Sequence, residues 1–361
     1  MAQKDADVRP SVMKRTAASV ALTVVATGLA ACSPDNGASP APTAIESTTP
    51  TAAAPAQSPT ATPSADPWVD KRRLNVLILG SDGGPYRHGE RTDVVIVASI
   101  DTKTGNTALI GVPRNLQHMR FRPGTRMARR YPNGFPDFMF GIYTYAAAHR
   151  EVLPGSDAPP ADLLKQTIGY NLGVKIDYYA LVNMRGFRDI IEALGGLNIR
   201  VTEPLLVGTR GRYLTPRLYR DMSSYNTLWY ARSRKNTTDY SRMARQRCVL
   251  TALVRQTSPR TLVRALPKLM RAGVDSLRTD IPRRLLPAMA TLALRVGKAE
   301  IMGITLGPPL INGAYPDWGT IRRTVDKAIS TSAHASRRPG RAKTAVRGGK
   351  LQSTDAVCRF S

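Results

Sequence analysis

Residues 228–246, LWYARSRKNTTDYSRMARQ, gather Arg232, Arg234, Lys235, Arg242 and Arg245 around a single carboxylate, Asp239. Arg232 and Arg234 are two residues apart, so in an extended segment behind the apolar Leu228, Trp229 and Tyr230 their guanidinium groups point the same way. Thr238 or Asp239 suits a helix N-cap, and Arg242, Arg245 and Gln246 then fall at i, i+3 and i+4 on one helical face. Two sets of planar, permanently charged forks converge at a helix N-terminus, where free backbone N–H groups already favour an anion. Phosphate, and pyrophosphate above all, matches that geometry. The competing reading of the same residues is an exposed basic helix start.

A second set lies far upstream. The apolar run 74–79 reads as a buried strand that stops at the loop G-S-D-G-G-P, and residues 93–100 read as a second strand. A turn over 101–106 leads into a third strand over 107–112, followed by Pro113-Arg114-Asn115. Asp82, Arg91, Asp93 and Arg114 therefore sit at strand ends, where a sheet holds loop side chains rigidly. Two carboxylates without a neighbouring His or Cys suit a hard cation such as Mg²⁺, which takes one or two carboxylates along with phosphate oxygens. Taken singly, each Asp is also an ordinary turn former.

The elements that must position these residues alternate in type. Residues 161–172 and 184–194 carry helical apolar spacing around a strand at 178–183, and 197–201 is another strand after Gly195-Gly196. The helix begun at Asp239 runs to about Gln256, with Val249, Leu250, Leu253 and Val254 facing inward. Another helix is expected from Thr279-Asp280 with Pro282 in its first turn, and a last strand over 300–306. Such alternation predicts an α/β domain, a central mixed β-sheet between helices.

The 361 residues give room for a sizeable core, and 42% hydrophobic content fits a globular body. A net charge of +26 calls for an anionic partner. The N-terminus limits which one. Lys14 and Arg15 precede an apolar stretch of small residues over 17–31, ending in L-A-A-C, so residues 1–31 read as an export signal. The ending is similar to the bacterial lipoprotein box, which makes Cys32 the candidate lipidation site; an uncleaved anchor is the alternative. Either way the body is expected outside, attached to the membrane, where it meets little nucleic acid. Residues 32–68, rich in Pro, Ala, Ser and Thr, read as a disordered tether. The folded body is expected over 69–258, with a helical extension over 259–330 and a mobile basic tail over 331–361 that anionic lipid or wall polymer attracts.

In order, the chain carries Gly80-Ser81-Asp82, Arg91-Thr92-Asp93, Pro113-Arg114, Asp177-Tyr178-Tyr179, Gly186-Phe187, Ala193-Leu194-Gly195-Gly196 and finally R-x-R…D-x-x-R-x-x-R-Q. This succession, spanning residues 74–258, resembles the LytR-CpsA-Psr family. The resemblance implies an apolar pocket for a lipid chain and an extracytoplasmic phosphotransferase that faces the cell wall. Such an enzyme moves a glycopolymer from a polyprenyl-pyrophosphate carrier to peptidoglycan through a phosphodiester. It also implies that Asp82 and Asp93 are the acidic, Mg²⁺-associated positions, catalytic together with Arg91, which belongs as well to the set that contacts the pyrophosphate. Arg114, Arg232, Arg234, Arg242, Arg245 and Gln246 would contact the pyrophosphate. Two departures stand out. Asn115 occupies a position often Asp in the family, and residues 138–143 lack the Lys and Asn of the usual K-I-N-x-A-Y segment. These departures suit an alternative, a non-catalytic wall- or lipid-binding lipoprotein; retention of both Asp residues suits the enzyme.

In the chemistry implied, negative charge grows on the leaving oxygens, and the arginines with Mg²⁺ offset it. One carboxylate takes the hydroxyl proton, with Asp93 preferred to Asp82 because it follows Arg91 at a strand start. Cys248 and Cys358 remain once Cys32 is set aside; in an oxidising exterior they either pair or stay as a buried and a loose thiol. The four His show no metal-ligand spacing, and no Walker or G-x-G-x-x-G pattern is present, so a zinc hydrolase or nucleotide-binding enzyme is unsupported.

Overall fold

Strand β1 (Arg73–Ser81) alternates its side chains across a sheet that is covered on both faces, which is why its sequence is almost continuously apolar. The computed structural model describes residues 67–83 except 69, then 89–234, 237–258, 276–335 and 351–358. The expected export signal, Cys32 and nearly all of the tether lie outside the described residues, as do 336–350 of the tail.

In chain order the elements are β1, β2 (Thr92–Asp101), β3 (Thr107–Gly111), α1 (Arg126–Arg130), α2 (Met139–Ala148), α3 (Pro159–Leu172), β4 (Tyr178–Asn183), α4 (Met184–Ala193) and β5 (Leu197–Val201). Then come β6 (Leu205–Val207), β7 (Arg212–Leu214), β8 (Arg217–Met222), α5 (Ser224–Arg232), α6 (Asp239–Gln256), β9 (Leu277–Thr279), a helix Leu286–Lys298, β10 (Ile301–Thr305), a helix Trp318–Ala333, β11 (Gln352–Ser353) and a short helix Thr354–Cys358. Seven strands form one mixed sheet in the order β11-β10-β3-β2-β1-β4-β9. β1 is parallel to β4 and β3 to β10, while β2 runs against both its neighbours. The C-terminal ends of β1, β3, β4 and β10 and the start of β2 therefore meet at one edge, so Asp82, Asp93 and Arg114 share that edge.

Helices cover both faces. Leu77, Leu79, Val97 and Ile110 pack with Met139, Ile142, Leu164, Ile168, Ile321 and Val325 from α2, α3 and the helix Trp318–Ala333. On the other face, Ile78, Val94 and Ile96 meet Leu250 and Val254 of α6 and Val296. A second core joins α4, α5 and α6 to the antiparallel pair β5–β8 and the hairpin β6–β7, set between those strands in sequence, through Ile191, Leu197, Tyr230 and Val249.

Two expectations are corrected. No helix starts at Thr279-Asp280; Leu277–Thr279 pairs with β4, and the helix begins only at Leu286. Asp280 is drawn away from capping because it accepts the Tyr179 N–H at 2.6 Å and pairs with Lys165. The end of the tail is docked rather than mobile. Gln352 and Ser353 pair with β10, Asp355 pairs with Arg255 at 2.8 Å, and Cys358 is in a disulfide with Cys248 of α6.

Candidate functional site

The acidic half of the site arises from one irregularity. β1 and β2 pair regularly from Arg73↔Asp101 to Gly80↔Val94, but the next pair is Ser81↔Thr92, which leaves Asp93 as an extra residue. Such a bulge breaks the alternation of side chains. Asp93 and Val94, consecutive in sequence, consequently line the same cavity, together with Asp82. Asp82 is 7% exposed; its Oδ1 accepts the Arg91 N–H at 2.8 Å, and its own N–H donates to the Arg91 carbonyl at 3.0 Å. Asp93 is more open, with 31% of its side chain exposed, and Arg114 pairs with its Oδ1. The Arg91 guanidinium lies 5.6 Å over the Phe140 ring.

The basic half comes from α5 and α6. Residues 228–232 are helical rather than extended, the last turns of α5. Ser223 caps that helix, and Thr227, Tyr230 and Ala231 bury at i, i+3 and i+4, a period that the short run before Arg232 conceals. Arg232 ends the helix with its guanidinium 5.4 Å from the Trp229 ring, and Arg234 follows the cap Ser233. Both still line the cavity, though not by the geometry the spacing suggested. Thr238 caps α6 as expected, its side chain accepting the Ser241 N–H at 3.1 Å.

Within the helical face 242/245/246 the structure separates three roles. Arg242, 4% exposed, lines the cavity and lies 3.0 Å from Asp239. Burial lowers its pKa, Asp239 opposes that shift, and its Nε is buried with no hydrogen-bond partner. Gln246 lines the cavity too and donates to the Ala231 carbonyl at 3.3 Å. Arg245 turns the other way. Its Nε donates to the Tyr230 carbonyl at 2.9 Å, Nη1 to Glu203 at 2.8 Å, and Nη2 to the Ser233 carbonyl and to Thr237 Oγ1 at 3.2 Å. Burial lowers its pKa against the opposing effect of Glu203. Arg245 thus ties α6 to the end of α5 and the turn after it.

The cavity holds about 210 Å³. Ile78 and Val94 of the sheet, Phe187 and Ile190 of α4, Leu228 of α5 and Val249, Leu250 and Leu253 of α6 form apolar walls. Asp82, Asp93, Asn183, Arg232, Arg234, Arg242 and Gln246 are the charged and amide residues that share it. Among the described residues, Arg91, Arg114 and Arg245 do not line it; the first two engage Asp82 and Asp93 instead. Sequence reasoning missed Asn183, which lines the cavity and caps α4 by accepting the Gly186 N–H at 2.9 Å. An Asn just before a helical apolar period was the available signal. It also missed Glu203, for which sequence spacing offers no signal.

The donor set bears on a metal. Asp82 and Asp93 offer hard oxygens beside a cationic wall, and the described residues form no group of three or more His, Cys, Asp or Glu able to hold an ion. Two carboxylates fit Mg²⁺, which keeps other positions for water and phosphate oxygens.

The LytR_cpsA_psr family model matches residues 41–309. The polyisoprenyl-teichoic acid–peptidoglycan teichoic acid transferase TagU of Halalkalibacterium halodurans is 24% identical over 211 residues, 58% of this chain and 61% of that protein. Among solved structures, protein gbs0355 of Streptococcus agalactiae matches with a TM-score of 0.55 at 18% identity, over 78% of this chain and 93% of that one. TagV of B. subtilis matches with a TM-score of 0.51 at 21% identity, over 72% and 98%. At these identities the structures establish a shared fold.

Proposed function

The chain belongs to the LytR-CpsA-Psr family, and from that membership we propose that it is an exported phosphotransferase joining a glycopolymer to peptidoglycan. The donor is the glycopolymer on a polyprenyl-pyrophosphate carrier, and the product bond is a phosphodiester. The observation that carries this reading is the continuity of one cavity, apolar along its walls and lined also by two carboxylates and three arginines. A polyprenyl chain suits the walls, and its pyrophosphate suits the charged part. The name of the TagU relative, a polyisoprenyl-linked teichoic acid transferase acting on peptidoglycan, supports the same donor and acceptor classes.

In the mechanism, an acceptor hydroxyl of peptidoglycan attacks the phosphorus that bears the glycopolymer. A new O–P bond forms while the bond from that phosphorus to the bridging oxygen breaks, and polyprenyl phosphate leaves with the electron pair. Asp93, the more open carboxylate, takes the hydroxyl proton. Arg114 orients Asp93, and the Arg91 backbone fixes Asp82. Arg242 donates to the oxygens where charge develops, from a buried position where such bonds are strong. Arg232, Arg234 and Gln246 hold the remaining pyrophosphate oxygens. Mg²⁺, held by Asp82 and Asp93, would supply further neutralisation of phosphate charge. Lipidation of Cys32 and the tether over 32–68 would keep this body at the outer membrane face, close to the carrier.

The test is transfer from a polyprenyl-pyrophosphate saccharide to peptidoglycan, with and without Mg²⁺. Arg242→Ala should weaken donor binding about tenfold or more, since charged hydrogen bonds contribute about 1.5–3 kcal/mol each. Asp93→Asn should reduce turnover more than binding. Unchanged transfer in both variants would leave the charged cluster without a part in transfer and remove the assignment.

A further inference from the structure

The loop 112–118 and the loop after β10 leave the sheet at the edge that carries Asp82 and Asp93. They are tied together, Gln117 N–H donating to the Gly313 carbonyl at 3.0 Å. Each carries an aromatic ring to the outside. Tyr315 is 77% exposed, against 43% or less for the other exposed large hydrophobic side chains among the described residues. His118 faces it with the two rings 20° from parallel and their centroids 6.2 Å apart. Such exposure is not slackness in the loop. Ile311 and Trp318 anchor it in the core, and Asn312 Oδ1 accepts the N–H groups of Ala314 and Tyr315 at 2.9 and 3.3 Å. His118 itself has φ +52°, a left-handed conformation uncommon outside glycine, which the surrounding fold must hold.

Asn115, exposed, precedes His118 by three residues and directly follows the Arg114 that pairs with Asp93. Four residues of chain reach at most about 14 Å, so the backbone at His118 lies within a span of a few sugar units of Arg114, the partner of Asp93. An aromatic face accepts the C–H side of a pyranose, and an amide both donates to and accepts from its hydroxyls, as a carboxylate at 115 would not. We propose that Tyr315, His118 and Asn115 form a saccharide-binding subsite at the rim of the transfer site. It takes neutral pyranose units lying next to the phosphate that is transferred. The assignment rests on the phosphotransferase reading for its role, while the binding of sugar stands apart from it.

The test uses Tyr315→Ala, which removes an exposed ring and spares the core, with Tyr315→Phe and Asn115→Ala beside it. Wild type and variants are titrated with soluble oligosaccharides cut from peptidoglycan glycan and from the donor glycopolymer, following the His118 ring signals by NMR. KM is measured separately for the donor and the acceptor, and binding of sugar-free polyprenyl pyrophosphate is measured in parallel. The expected result is a loss of about two- to tenfold in sugar affinity for Tyr315→Ala. Tyr315→Phe should retain affinity, and sugar-free carrier binding should stay at the wild-type level. A rise confined to the donor KM places the donor's sugars on the rings; a rise confined to the acceptor KM places the glycan strand there. Sugar-induced shifts at His118 in a protein that performs no transfer would keep the subsite and remove the phosphotransferase reading. Active transfer with wild-type affinity and both KM values intact in Tyr315→Ala and Asn115→Ala would overturn the subsite.

Discussion

Arg242 and Arg245 sit three residues apart on one helix, and replacing each by Met, which keeps the apolar stem, should separate their roles. Arg245→Met removes the Nε donor to the Tyr230 carbonyl and the Nη2 donor to the Ser233 carbonyl, at the end of α5. Both residues are buried, at 5% and 4% exposure, so water replaces those donors poorly. An unsatisfied buried acceptor costs about 1–3 kcal/mol, so two cost about 2–6 kcal/mol. The Glu203 pair adds little, because that carboxylate is 42% exposed. Arg242→Met instead removes a desolvated cation whose Nε has no hydrogen-bond partner. Such a change is close to neutral for stability, or favourable, while the carrier loses charged donors. Urea unfolding measures the first effect; binding of polyprenyl pyrophosphate well below the transition measures the second. Arg245→Met should lose stability, and Arg242→Met should lose affinity about tenfold or more. A fully stable Arg245→Met that fails only in binding would refute the separation.

Two further outcomes follow from the frame around the site. Cys248 and Cys358 are 110 residues apart in sequence, and closing a loop of that length typically stabilises by about 2–4 kcal/mol. Cys358→Ser should lower the urea midpoint by a corresponding amount and speed amide exchange at Gln352; a midpoint equal to wild type would contradict this. At Gly80, a Cβ would lie 2.8 Å from Val94 Cβ and Cγ2, beside the bulge. Gly80→Ala should cost about 1–3 kcal/mol and, by moving Asp93, reduce turnover more than carrier binding. Unchanged turnover would show that the bulge does not set the position of that carboxylate.

What the sequence makes legible depends on whether the signal is local. Unbroken apolar runs are enough for β1 to β4, and capping chemistry is enough for α6, whose Thr238 cap and Gln256 end match expectation. β9 is three residues long and exists because β4 offers it a partner. No local pattern reports that pairing, and Asp280 looks like a cap until its bonds to Tyr179 and Lys165 are known. The bulge at Asp93 is equally silent. Its evidence is a missing pair between two strands, yet it puts two consecutive residues on one cavity.

The arginines show the limit most clearly. Spacing of i and i+3 places Arg242 and Arg245 on one side of α6, but that side is broad enough to touch both the cavity and the end of α5. A pyrophosphate and a set of backbone carbonyls make the same demand, several donors held in a plane. A lysine at 245 would concentrate three donors at one point, whereas the acceptors there belong to Tyr230, Ser233, Thr237 and Glu203, on separate parts of the chain. Only a fork of fixed width reaches them together. Arginine at 245 is therefore required by architecture, whereas arginine at 242 turns to the cavity with its Nε unpartnered, as the proposed pyrophosphate contact requires. Residue type and spacing are identical for the two demands; the position of the acceptors distinguishes them.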